Sequence, residues 1–362
     1  MIRRRGYLAA RAVEPRPHRA VKGILGMPRW IALCAKLAVG VVLMGLAAST
    51  VDWTQFREAV RHVVPAWLAL VGLMGFLDRA WMAGKWLYLL RGLNVGAATF
   101  GQALWHYFRG GLVGIGVQWQ LGGDIARALG LGHLVGKKQV VMASLVFEKV
   151  AGASANGLVA TASLALLILT VDVGPLMPAL LLGLCIVALT VLFPLLALSR
   201  PVRATVYSVL SLLPLSTLQR FRHVTDAVES VLSKRRVGLV FFLLTLGEQI
   251  VPFINILLLS RAFHLELTMV EMFMVIPVAT FFSRLPISIE SVGVREGLYV
   301  ALFSLFGVSA AEAFAMALAV RVIDFVVVGA GTSIGFIAGR SDGSGVTSQG
   351  KLSRSASDQT PL

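Results

Sequence analysis

Long apolar runs alternate along the chain with short polar breaks, and most reach the roughly 20 residues a helix needs to cross a bilayer. They predict membrane-spanning helices over about 31–48, 66–90, 139–170, 176–198, 237–260 and 309–338. Two further segments are apolar but interrupted. In about 99–119 the breaks are Arg109-Gly110-Gly111, Gly114 and Gly116, and in about 269–307 the break is Leu285–Gly297. Between the first two runs, Trp53, Phe56, Val60 and Val63 share a face with Arg57 and Arg61 opposite, which predicts a short amphipathic helix lying at an interface. A second amphipathic stretch is expected around Phe221–Leu232. The Ser/Gly-rich residues 340–362 have little to bury and are expected to be a disordered tail.

Composition agrees with this pattern. Hydrophobic residues make up 57% of the 362 and charged residues 14%, with mean hydropathy +0.81, whereas soluble domains average about 25% charged. The fold class expected is all-α, a polytopic helical membrane protein with about six to eight transmembrane helices. Residues 31–48 read as a retained first span, because Ala47-Ala48-Ser49-Thr50 leads directly into Val51-Asp52-Trp53 without a cleavage pattern.

The net charge of +15 is concentrated in two places. Residues 1–29 hold eight Arg and Lys against Glu14 alone, and residues 199–236 hold seven against Asp226 and Glu229. Both blocks flank spans, which is the positive-inside pattern, and both are placed to attract anionic phospholipid headgroups. No nucleic-acid module accompanies them, so nucleic acid is not an expected partner. The chain thus divides into a basic cytoplasmic arm (1–29), a transmembrane domain (30–339) and the tail. The halves of that domain, about 30–198 and 237–339, are joined by the basic loop 199–236. With both blocks cytoplasmic, each interrupted segment leaves and returns on one side, giving six crossings and two re-entrant hairpins, with eight crossings as the competing count. Both termini are then cytoplasmic.

The halves share a pattern: an interrupted segment, a glycine-containing motif with Arg127 or Arg295, then a long span with charges (Glu148-Lys149; Arg321 and Asp324). Two broken segments in corresponding places suggest an inverted repeat with a site between its halves, and put Arg127 and Arg295 near each other at mid-membrane. Charge at membrane depth costs on the order of 2.5–3.5 kcal/mol per residue on insertion scales, so each charge there needs a partner or a function. Broken backbone at that depth needs shielding by protein or a polar cavity. Pro286, Gly293, Arg295 and Glu296 combine the two and are candidate substrate contacts, as are Asp124 and Arg127 in the earlier half. Arg127 and Arg295 offer the planar fork of donors that suits a phosphate.

Arg321 and Asp324, three apart on one face, are placed to pair with each other. They lock helices together or line a headgroup or proton path. Asp78 and Lys85, seven apart, share a face and are expected to partner each other. Glu148 lies in a stripe with Ser144, Gly152 and Asn156, either a close-packed seam or a site. Glu248 lies in a kinked polar stripe with Thr245, Pro252 and Asn255, open to the same two readings.

Soluble-enzyme chemistry finds little support. The six histidines are scattered without metal-ligand spacing. Gly132–Lys138 has the wrong glycine spacing for a phosphate loop and no Ser or Thr after its lysine. Cys34 and Cys185 lie inside apolar runs and suggest no disulfide framework. No catalytic residue, cofactor or metal is expected.

At this point a family resemblance emerges. Pro286, Gly293, Arg295-Glu296, Gly307-Val308-Ser309 and Arg321-x-x-Asp324 resemble the C-terminal signature of the lysylphosphatidylglycerol synthase transmembrane region, a flippase-like family. Gly123-Asp124-Ile125-Ala126-Arg127 and Glu148-Lys149 resemble its Gly-Glu-x-x-Arg motif and following Glu-Arg span, with Asp for Glu and Lys for Arg. The resemblance covers about 31–338. Longer relatives carry a soluble domain that transfers lysine from its tRNA to phosphatidylglycerol, and their membrane part is implicated in moving the product between leaflets. The residues after Arg340 are too few for such a domain. The resemblance therefore implies translocation of a lipid or lipid-linked substrate in the bacterial inner membrane. Stand-alone members occur beside hopanoid, glycolipid or polyprenyl-linked sugar pathways. The alternatives are the membrane half of a transferase system whose catalytic part is a separate protein, and an envelope scaffold.

Overall fold

A computed structural model describes residues 29–117, 120–198, 233–285 and 287–355. The basic arm up to residue 28, most of the basic loop with its expected amphipathic stretch, and Pro286 lie outside the described residues. The rest is helical: α1 (Arg29–Ser49), α2 (Trp53–Arg61), α3 (Pro65–Gly92), α4 (Phe100–Val117), α5 (Gln120–Leu134), α6 (Lys138–Thr170), α7 (Met177–Leu198), α8 (Arg235–Glu248), α9 (Ile250–Ala262), α10 (Met269–Ser283), α11 (Val294–Phe303) and α12 (Ala310–Ser355). No strand occurs among the described residues. Among the described residues, five helices are long and apolar enough to cross a membrane: α3, α6, α7, the α8–α9 pair and α12. The bent pair α1 and α2 makes a sixth if counted as one span.

Local chemistry sets the breaks. α2 starts where Asp52 Oδ1 accepts from the Thr54 and Gln55 amides (2.8 and 3.3 Å), and it turns 87° away from α1. Its Trp53 and Phe56 meet Phe314 of α12 edge-on, as an interfacial helix would. α8 gives way to α9 at Gln249. Pro252 has no amide to return to the Glu248 carbonyl, so the ladder loosens there.

Two sets of helices make matching contacts. α3, α4, α5 and α6 correspond in order to α8–α9, α10, α11 and α12. α3 runs antiparallel to α8–α9 along its length: the Val64 amide meets the Ala262 carbonyl at one end (3.1 Å), and Lys234 Nζ meets the Gly92 carbonyl at the other (2.6 Å). α12 crosses onto the first half, where Thr332 Oγ1 meets the Phe108 carbonyl of α4 (3.2 Å) and Gly331 and Gly335 admit the Phe108 and Trp105 rings. α6 does the same to the second half, its Ser163 hydroxyl donating to the Phe273 carbonyl of α10. Each long helix therefore rests on the other half's hairpin. Apolar burial alone does not drive association in lipid, so small residues and polar bonds at these seams are what sequence must supply.

Three expectations change. The glycines of 109–116 do not interrupt α4, which is continuous to Val117. They let α5 lie directly against it instead: a Cβ on Gly110 would sit 2.8 Å from the Gly123 carbonyl oxygen, and one on Gly123 would strike the Gly110 carbonyl. Asp78 does not pair with Lys85 but with Arg79 (3.0 Å). The backbone beyond Arg340 continues helically to Ser355, since extending an existing helix costs far less than starting one.

Candidate functional site

In the first half, Arg127 of α5 is the hub. Its Nε donates to Asp124 Oδ1 (3.0 Å) and its Nη2 to Glu148 Oε1 of α6 (2.8 Å). Tyr107 of α4 donates its hydroxyl to the same Glu148 oxygen (2.8 Å). The guanidinium stacks over the Tyr107 and Trp86 rings at 4.1 and 4.7 Å, which suits a planar, weakly hydrated cation. Lys149 bridges to the other Asp124 oxygen. Arg127 is 3% exposed, so this cluster is packed core.

The second half repeats the device with the signs exchanged. Glu296 of α11 is fully buried, and Arg321 of α12 donates to its Oε1 through Nε (2.9 Å) and Nη2 (2.7 Å). Glu296 Oε2 accepts the Gly293 amide (2.8 Å), capping α11. Arg321 also reaches the Glu290 and Ser291 carbonyls (3.0 and 3.3 Å). Those carbonyls are presented by a left-handed turn, with φ +48° at Glu290, +59° at Ser291 and +80° at Gly293. Left-handed backbone at non-glycine residues is costly and persists where surroundings enforce it; here the arginine fork does so. Arg295 reaches Asp324 more loosely, at 3.6 Å. In each half, two ion pairs thus pin the second hairpin arm to the following span.

The sequence pairing of Arg321 with Asp324 is corrected by this arrangement. Each takes a partner from α11, because the helix–helix contact offers buried carboxylate and guanidinium at better geometry than neighbours along one helix. Glu248 likewise finds Lys85 of α3, with Thr245 3.5 Å from the same ammonium. The stripe on α6 is dispersed among partners: Ser144 accepts from the Trp86 indole (3.0 Å) and Asn156 donates to Gln249 (3.0 Å). Gly293 packs under α1, and a Cβ there would lie 2.6 Å from the Gly40 carbonyl and 2.7 Å from Leu43 Cβ.

A second class of charge keeps accessible surface. Asp324 lies near the middle of Ala310–Ile337 with its side chain 47% exposed. Arg295 and Asp78 retain smaller fractions. Arg284, directly after α10, is exposed. Among the described residues it makes no ion pair, though it lies within electrostatic reach of Glu248, Asp78 and Arg295. Asp78 is within reach of Glu248, Lys85 and Asp324. Sequence reasoning passed over Arg284, whose only signal was its place just before Leu285-Pro286. Arg127 and Arg295 share no partner; Glu248, which also acts electrostatically on Tyr107, and Asp78 bridge between their clusters.

The candidate residues therefore separate. Arg127, Glu148, Glu248 and Glu296 are buried and engaged, and Arg321 is half-buried and engaged; Arg295, Asp324, Asp78 and Arg284 keep accessible surface. Asp124 ties Arg127 to Lys149. The first group fixes the helices, and the second offers both signs of charge at accessible positions.

The family model of the lysylphosphatidylglycerol synthase TM region matches residues 33–331. No curated protein and no solved structure matches the chain. The match spans both hairpins, both pinned spans and the accessible charges, so the chain belongs to the lysylphosphatidylglycerol synthase transmembrane-region family.

Proposed function

We propose that this membrane protein carries a lipid or lipid-linked substrate between leaflets of the bacterial inner membrane and forms no covalent bond itself. One observation carries the reading: Arg284, Arg295, Asp78 and Asp324 keep accessible surface, with Arg284 in no ion pair among the described residues and Arg295 in only a loose one, although charge within a membrane is expensive. A polar headgroup passing the bilayer centre needs such surroundings, and the pinned hairpins hold them in place. In purified protein reconstituted into vesicles, Arg284→Gln and Arg295→Gln should slow exchange of a fluorescent phosphatidylglycerol at least tenfold, with thermal stability in detergent unchanged. Exchange at the wild-type rate in both variants would refute the reading. Aminoacylation of lipid by the purified chain alone would replace it with an enzyme.

The two basic blocks support a cytoplasmic position for both termini and the 199–236 loop. Ser216→Cys and Ser348→Cys variants should resist an impermeant thiol reagent added to intact cells, on a background lacking Cys34 and Cys185. Labelling of either from outside would overturn this orientation.

A further inference from the structure

Residues of α7 and α11 form two walls of an apolar groove of about 330 Å³, which Leu164 of α6 and Val278 and Phe282 of α10 also line. The two walls do not pack extensively against each other, and every lining side chain is apolar. α6 and α7 are both long and apolar enough to cross a membrane, so a bilayer around them would put hydrocarbon beside the groove. One wall leads directly to charge. Leu298 and Leu302 of α11 lie three and seven residues after Arg295 and so share its helix face. Phe282 is two residues before Arg284. Both arginines thus sit close in sequence to groove-lining residues, and their guanidinium groups lie within electrostatic reach of each other. Arg284 has no ion pair among the described residues, and Arg295 is held only by the loose contact with Asp324.

The geometry points to a bipartite lipid site, with one acyl chain in the groove between α7 and α11 and an anionic headgroup against Arg295 and Arg284. A methylene takes up about the space of a water molecule, roughly 30 Å³, so the groove holds on the order of ten methylenes. That is most of one chain. Two neighbouring guanidiniums repel each other, and a phosphodiester between them removes the repulsion while using the planar donors of both. The inference rests on the transport reading for its purpose: a lipid bound this way keeps a chain solvated while its head lies beside the accessible charges. The site itself stands or falls separately.

Ala179 on α7 and Ala301 on α11 both line the groove with exposed side chains, so each has room to grow into it. The probe is a phosphatidylglycerol with a photoreactive diazirine at mid-chain, in vesicles containing the full-length protein. Crosslinks should concentrate on α7 and α11. They should fall at least fivefold in Ala179→Trp and Ala301→Trp, and stay within twofold in Leu189→Trp, a control at an exposed position of α7 outside the groove. Arg284→Gln with Arg295→Gln should abolish the preference of the groove for that probe over a phosphatidylcholine carrying the same chain. Crosslinks spread evenly over the exposed helices, or unaffected by both tryptophans, would overturn the chain site. Equal labelling by the two lipids in wild-type protein would overturn the headgroup site. If wild-type protein labels as expected but exchanges no lipid, the site stands and the transport reading fails.

Discussion

Glu296→Ala is expected to cost about 3–5 kcal/mol of stability, the usual consequence of leaving one member of a buried ion pair alone. The removed carboxylate accepts two bonds from Arg321 and caps α11 through the Gly293 amide. Arg321 stays charged when its partner goes, because a guanidinium does not shed its proton in proteins. The neighbouring Arg295 should behave oppositely. Arg295→Ala loses a 3.6 Å contact with a half-exposed Asp324, so stability should change by less than about 1 kcal/mol while lipid exchange falls. Melting of the two variants in detergent, alongside exchange in vesicles, checks this. Equal melting temperatures would show that the burial of Glu296 does not govern its role.

Gly293→Ala should be comparably damaging by a different route. Gly293 has φ +80°, a conformation that any side chain strains, by about 1–3 kcal/mol. The added methyl would also meet the Gly40 carbonyl and Leu43 of α1, and overpacking of this kind adds roughly 1–3 kcal/mol. The expected readout is loss of α1 docking, seen as faster proteolysis between α1 and α3, together with a lowered melting temperature. An alanine variant that melts like wild type would mean that the turn and α1 both shift freely.

Much of this architecture is legible in the chain. Apolar runs place α3, α6, α7, α8–α9 and the start of α12 within a few residues, because bilayer thickness fixes how much apolar sequence a crossing needs. The break at Leu285–Gly293 is legible through its glycine and charges, and the likeness of the two halves through their order. Partners of charges are not. Along one helix, Arg321 has Asp324 and Asp78 has Lys85 within reach, and the sequence offers nothing to prefer the distant Glu296 or Glu248. Those choices are made by which helix faces meet, a matter of packing that periodicity does not encode. The glycines of α4 mislead for a related reason: their value lies in how near α5 can come, and that distance is set by tertiary contact. Arg284 escapes notice because accessibility within a helical body has no signature in a linear pattern.

Order of synthesis gives the Lys85–Glu248 pair a further consequence. The two residues are separated by 163 positions. At translation rates of about 5–20 residues per second, Lys85 is made roughly ten to thirty seconds before the carboxylate that neutralises it. Arg127 and Glu148 are only 21 positions apart, so the first half closes its own pin almost as it emerges. α3 therefore has to wait at the insertion machinery, or in a shallow position with its lysine reaching the surface, until α8 arrives to take it in. A pause or a chain break between α7 and α8 would strand that lysine in hydrocarbon, making the intact second half a condition for the first to settle at full depth.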